Sequence, residues 1–217
     1  MPPLSGAAAT LSHMPDPRTP FSGTLAPGED YDAVAFADLD LTGARGTGAR
    51  FLDCVLESCD LSGADLAGSR WTDTTLARVR GVGTDLSEAS LLDVTVRDAR
   101  FGALTAYGST WRRVTVHGGK IEFLNLRGAT LRDVHFEDCQ LIEPDVGGAT
   151  LRDVTFSGCT LIGIQLHGAK LKGVDLSGAR LVEPKGLTSL GGATISRLQL
   201  LEHADAFAEQ LGITVSG

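Results

Sequence analysis

The chain has 217 residues, 42% of them hydrophobic but only 6% aromatic, and a formal net charge of −8. That is enough for one domain, or one domain with an appendage. No apolar run reaches the length of a membrane span, and an acidic chain does not hold a phosphate backbone by counterion release, so membrane spanning and direct nucleic-acid binding are disfavoured.

Residues 1–28 are rich in Pro, Ala, Ser and Gly, with one acid (Asp16) and one base (Arg18), the composition of a flexible leader. The segment lacks the basic patch and apolar core of a signal peptide, which favours a cytoplasmic location. Phe21 and Tyr31 already keep a five-residue register, so an irregular first coil is expected to begin ahead of Val34.

Residues 34–183 repeat in fives without insertion or deletion. Of the thirty positions at every fifth residue from Phe36 to Leu181, twenty-seven are Leu, Phe, Ile, Val or Trp; the exceptions are Gly46, Gly81 and Ala106. Two residues ahead of each runs a second column, small or β-branched almost throughout, that contains Ala49, Cys54, Cys59 and Ala64. These sixty positions hold no charged residue, whereas the other ninety hold thirty-six. Only a periodic burial rule makes that partition, and its period is neither the 3.6 of a helix nor the 2.0 of a simple strand. A second period lies above it: GATLRDVHFEDCQLI at 128–142 recurs as GATLRDVTFSGCTLI at 148–162, a shift of twenty. Four pentads therefore close one roughly square coil, and residue n stacks on residue n+20. The thirty pentads give 7.5 coils, a rod roughly 36 Å long at the spacing of paired strands. With so few aromatic residues, the core is expected to rely on stacked Leu. Gly48, Gly68, Gly108, Gly128, Gly148 and Gly168 share one corner column, where a tight turn favours a residue that tolerates unusual φ.

In Ala64-Asp65-Leu66, Cys59-Asp60-Leu61, Val174-Asp175-Leu176 and Ala129-Thr130-Leu131 the chain resembles the pentapeptide-repeat family, whose motif is A(D/N)LXX. The resemblance covers about 150 of the 217 residues and implies an all-β fold, a right-handed quadrilateral parallel β-helix, whose domain is placed at residues 29–186. It also implies a function: the best-understood members are acidic rods that imitate DNA and engage DNA gyrase, a type II topoisomerase, protecting it from quinolones or other poisons.

Beyond the repeat, residues 196–211 switch to helical spacing, with Leu198, Leu201, Phe207 and Leu211 available for one apolar face. Ser196 fits an N-cap and Gly212 a C′ residue, and Asp205 can break the segment into two short helices. Residues 187–217 are read as a helical cap on the last coil, or as a dimerisation segment, since a stacked solenoid otherwise leaves strand edges open. Ile142, Ile162 and Val182 form an outward aliphatic column that needs a cover, either the C-terminal segment or a second subunit. Together with Leu198, Leu201 and Phe207 they are the candidate self-association residues.

Cys54, Cys59, Cys139 and Cys159 all fall in the small inward column and read as free thiols filling the core. No metal ligand set converges, and no cofactor is expected. His117, His135 and His167 are outward and scattered; only His117 and Glu137 stack one coil apart. There is no phosphate-binding loop, nucleotide fingerprint or nucleophile elbow, so catalysis is not expected. Charge is uneven: residues 29–65 carry nine acids and two bases, residues 66–130 six acids and nine bases. The ladder Arg112, Arg132, Arg152, Lys172 runs beside Asp53, Asp73, Asp93, Arg113, Asp133, Asp153, and the mixed signs read as salt-bridging rows. For a duplex-mimicking rod the useful surface is the acidic end, with Asp38, Asp40, Asp53, Glu57, Asp60 and Asp65. Of these, Asp40, Asp60 and Asp65 hold the motif position that serves a corner amide. The primary reading is a non-catalytic scaffold for a protein partner; the alternative is a topoisomerase modulator.

Overall fold

The computed structural model of the chain describes residues 18–216. Within them the chain winds into a parallel β-solenoid of about eight turns, closed by a short helical segment at its C-terminal end. The register is the one the repeat implies: Thr110 pairs with Thr130, which pairs with Thr150, and Leu141 pairs with Leu161, which pairs with Leu181. The two inward columns form one continuous core, from Leu25 to Leu181.

Every pentad needs a sharp corner, and the residues there show how it is made. The shared glycine column adopts left-handed φ, from 63° at Gly68 to 71° at Gly168. Non-glycine residues do the same, and eight of the sixteen with positive φ among the described residues are Asp: Asp38, Asp53, Asp73, Asp93, Asp98, Asp133, Asp138 and Asp153. Asp is enriched in that region among non-glycine residues because its side chain is short and polar. The column Asp53 to Asp153 is therefore first a backbone choice, where its charges alone suggested a salt-bridging row. The eight-residue strands Ser90–Arg97, Thr110–His117, Thr130–Glu137 and Thr150–Ser157 run straight through such corners. The motif acids do the second corner task. The Asp60 carboxylate accepts the Ser62 amide (3.0 Å) and that of Asp145 accepts the Gly147 amide (2.8 Å).

Leu stacking is only part of the core. Rings are few but concentrated: Tyr31 stacks on Phe51 at 5.1 Å, Phe51 on Trp71 at 3.9 Å, and Phe136 on Phe156 at 4.8 Å. Each Trp follows an inward Ser by two positions. The Trp71 indole N–H donates to the Ser69 hydroxyl (2.7 Å), whereas the Trp111 indole nitrogen is buried without a partner although Ser109 holds the equivalent place. Trp71 and Trp111 both border an apolar void of about 30 Å³, together with Leu86, Phe101, Leu104 and Ile121, in the coils that carry Gly81 and Ala106. Packing is thus looser mid-rod than a uniform Leu column implies. The four cysteines are buried and free; the Cys54 and Cys139 thiols donate to the carbonyls of Tyr31 and Val116, each at 3.3 Å.

Both ends of the stack lie outside the expected limits of 29 and 186. Thr19–Pro20 pairs with Val34–Ala35 at an offset of fifteen, so the first turn has three pentads rather than four. Phe21 closes it by stacking on Phe36 at 4.4 Å. The part of the expected leader that precedes residue 18 lies outside the described residues. At the other end Ala193–Thr194 pairs with Val174–Asp175 at an offset of nineteen, one residue short of the repeat. Two helices follow, α1 (Arg197–Glu202) and α2 (Ala204–Gln210). Ser196 caps α1 through a reciprocal pair with Gln199, and Gly212 ends α2 at φ +71° while the Ile213 amide reaches back to Ala208. The break falls at His203, two residues before Asp205.

Substitutions should follow the phase of the repeat. Leu131→Asp places an unpaired charge at a site with no exposure and should cost about 4 kcal/mol or more, while Arg132→Asp should stay within about 0.5 kcal/mol. Equal loss of thermal stability in both would refute the register. Ser69→Ala should cost about 1–3 kcal/mol by stranding the Trp71 N–H, and Ser109→Ala less, because Trp111 does not depend on it.

Candidate protein-interaction site

The six acidic candidates do not share a face. Asp40 and Asp60 stack in one column, joined by an isolated bridge; Glu57 lies one face earlier, Asp65 one face later, and Asp38 and Asp53 at two different corners. Most are also engaged. Asp53 binds the Arg18 guanidinium at 2.7 Å, Glu57 pairs with Arg78, and the Asp60 carboxylate accepts the Arg80 Nε (2.9 Å) as well as the Ser62 amide. Asp65 accepts the Ala67 amide at 3.2 Å and the Thr47 hydroxyl at 2.9 Å. Asp38 is exposed and is the one member with no side-chain bond among the described residues. Lys at Asp53 or Glu57 would face an arginine, and Asp38, free of such a pair, holds a left-handed corner at φ 53°.

These turns perturb titration. The Thr42 hydroxyl, then its amide, hold Asp40 below the usual carboxylate range; Ser62 and Ser177 do the same for Asp60 and Asp175, and the Arg113 guanidinium for Asp93. Burial raises the Cys54 and Cys59 thiols, and a hydrogen bond with Cys159, followed by burial, raises Cys139. The same hydrogen bond with Cys139 lowers Cys159, and all four thiols are buried away from solvent.

His117 Nδ1 lies 3.5 Å from Glu137 Oε2, but both side chains are 48% exposed on an open face with Arg97 and Thr115, so nothing desolvates the couple. His135 turns instead to Asp133 (3.3 Å) and Thr155 (2.9 Å). Among the described residues no group of three His, Cys, Asp or Glu is placed to hold a metal ion, and no helix is long and apolar enough to cross a membrane.

The C-terminal end is different. Gln199 is 4% exposed, and its side-chain amide donates to the carbonyls of Leu176 and Ala179, each at 2.7 Å. A polar residue, missed by the periodicity argument, thus pins α1 across the open end of the last coil. Leu198 and Leu201, expected on one apolar face and as self-association candidates, are 64% and 65% exposed; Phe207 is half-buried on α2. Ile142, Ile162 and Val182 stack in register and are half-buried. Val182 and Leu198 line one groove of about 730 Å³, with Glu183, Glu202 and His203 at its edges. The structure therefore joins one end of the aliphatic column to α1 and leaves the groove between them open.

A filled parallel solenoid whose side chains stand in vertical ladders, with its last coil capped by a helix, is a scaffold. Residues 59–101, 123–158 and 149–183 match the pentapeptide repeats family in eight copies, and the chain belongs to the pentapeptide-repeat family. No curated protein matches it in sequence. Among solved structures it is similar to trypsin-treated QnrB1, a plasmid-mediated fluoroquinolone resistance protein, at 18% identity over 91% of this chain and 96% of that one, with a TM-score of 0.28. It is also similar to HetL, a pentapeptide repeat protein involved in heterocyst differentiation regulation from the cyanobacterium Nostoc sp. strain PCC 7120. There the identity is 19% over 80% of this chain and 92% of that one, with a TM-score of 0.29.

The depressed carboxylates set the acid limit. A folded-state pKa below the unfolded value adds stability that is complete above about pH 4 and is lost as pH falls through the folded value. The thermal midpoint should be flat from about pH 7 to pH 5 and drop below about pH 4. A midpoint that rises on acidification would mean that repulsion among the acids outweighs these bonds.

Proposed function

We propose that this chain is a non-catalytic protein-interaction scaffold that self-associates through its C-terminal end. One observation supports this most: of the ten large hydrophobic residues that stand exposed among the described residues, six (Leu198, Leu200, Leu201, Leu211, Ile213 and Val215) fall in this one terminal segment. Such a cluster marks an interaction site. A second copy of the chain suits it, since the groove between α1 and the last coil is bordered by the aliphatic column ending at Val182. Free buried thiols fit a reducing, cytoplasmic setting.

A duplex-mimicking modulator of DNA gyrase needs a continuous carboxylate face, and the acidic candidates are spread over three faces with most of their charge satisfied internally. Gyrase supercoiling with and without the purified protein addresses that reading directly; a change reversed by Asp38→Lys at low salt would support it.

Sedimentation of the intact protein should give the mass of a dimer. Leu198→Glu with Leu201→Glu, which spares the Gln199 cap, should give a folded monomer with an unchanged circular dichroism spectrum. A wild-type monomer at a concentration of about 100 μM, weaker than a specific interface of standard size delivers, would sink the proposal.

A further inference from the structure

The ladder Arg112, Arg132, Arg152 and Lys172 is held in strict register over four consecutive coils, and all four side chains are exposed. Some arginines elsewhere on the rod find carboxylates, Arg50 with Asp30, Arg80 with Asp60, Arg113 with Asp93 and Arg127 with Asp145, whereas Arg45, Arg70, Arg97, Arg100 and Arg180 make no ion pair among the described residues. The ladder differs from these in stacking its cations on four consecutive coils. The ladder residues make no ion pair among the described residues, although the chain is acidic overall. Two of the neighbouring corner acids are turned to other tasks, Asp93 to Arg113 and Asp133 to His135, while Asp153 makes no ion pair among the described residues. Like charges stacked on neighbouring strands oppose the pairing that aligns them, so the rod sustains a local cost that an anionic partner would remove.

We infer that this ladder is a docking surface for an acidic α-helix of a protein partner. The spacing selects the shape. Four rungs at about 4.8 Å span about 14 Å. Carboxylates on one stripe of a helix recur every turn, about 5.4 Å, so four of them span about 16 Å. Alternate carboxylates on an extended strand recur at about 6.7 Å and span about 20 Å. The flexible stems of Arg and Lys absorb a mismatch of about 2 Å but not one of about 6 Å without dropping a rung. Beside the ladder, Thr110, Thr130 and Thr150 stack in the same register, a low floor of short side chains on which a helix can lie. On the opposite side Asp133 and Asp153 repel an acidic ligand, which confines its stripe to the arginine column. The inference rests on the scaffold reading only in requiring a protein partner, and it is independent of the C-terminal groove.

The probe is a fluorescein-labelled Ala-rich helical peptide with one Glu per turn along a single face, titrated by anisotropy against the full-length protein at low salt. Its control has the same length and charge but is interrupted by Pro and non-helical. The helical peptide should bind about tenfold tighter than the control, about 1.4 kcal/mol, and should weaken as salt rises. Arg132→Glu with Arg152→Glu should abolish the difference, while the charge-matched pair Arg100→Glu with Arg180→Glu, exposed on another face, should preserve it; Arg132→Gln with Arg152→Gln serves if the Glu variant does not fold. Equal binding of the two peptides, or equal loss in the Arg100→Glu, Arg180→Glu protein, would overturn the inference. So would tighter binding of oligothymidylate than of the helical peptide. Sedimentation of the same samples reports the C-terminal interface separately, so failure of one reading is not mistaken for failure of the other.

Discussion

Parallel backbone pairing at an offset of twenty makes each residue rest on its equivalents in the coils before and after it. Leu131 sits between Trp111 and Leu151, and Val134 between Val114 and Val154. One inserted residue would turn inward side chains outward in every later coil. The solenoid tolerates changes of length only at its ends, and there they occur: an offset of fifteen in the first turn and nineteen in the last. Both are places where only one neighbouring coil must be satisfied.

Closing a square with five residues per side demands sharp turns, and that demand explains much of the surface charge. Asp at a left-handed corner and Asp one residue ahead of the central Leu both answer backbone needs. The acidity of the N-terminal coils is then largely a by-product of turn chemistry, further reduced where Arg18, Arg78 and Arg80 lie against Asp53, Glu57 and Asp60. The cations of the ladder from Arg112 to Lys172 have no such role in the backbone. Charge not explained by the fold is the better guide to partners.

The two ends of the rod meet the problem of open strand edges differently. At the N-terminal end a shortened turn folds Phe21 over Phe36. At the C-terminal end Gln199 supplies side-chain donors where the next coil would have supplied amides. Helix α1 is thereby held by its polar residue, and its leucines are left facing outward. An amphipathic helix normally buries its apolar stripe; this one has it free for another molecule.

The amino-acid sequence by itself determined the inward columns, the period of twenty, the glycine corners, the four buried thiols and the Ser196 and Gly212 caps. Each depends on residues within one or two repeats, where spacing along the chain is a direct measure of position in space. Only the tertiary structure decided which carboxylates are spent. Arg18 reaches Asp53 across thirty-five residues, and whether Asp133 turns to Arg113 or His135 depends on rotamers that spacing does not encode. Periodicity likewise gave Leu198 and Leu201 one apolar face without deciding whether the last coil or another molecule covers it. The cap is set instead by two carbonyls at the end of the last coil, which need donors and draw Gln199 inward.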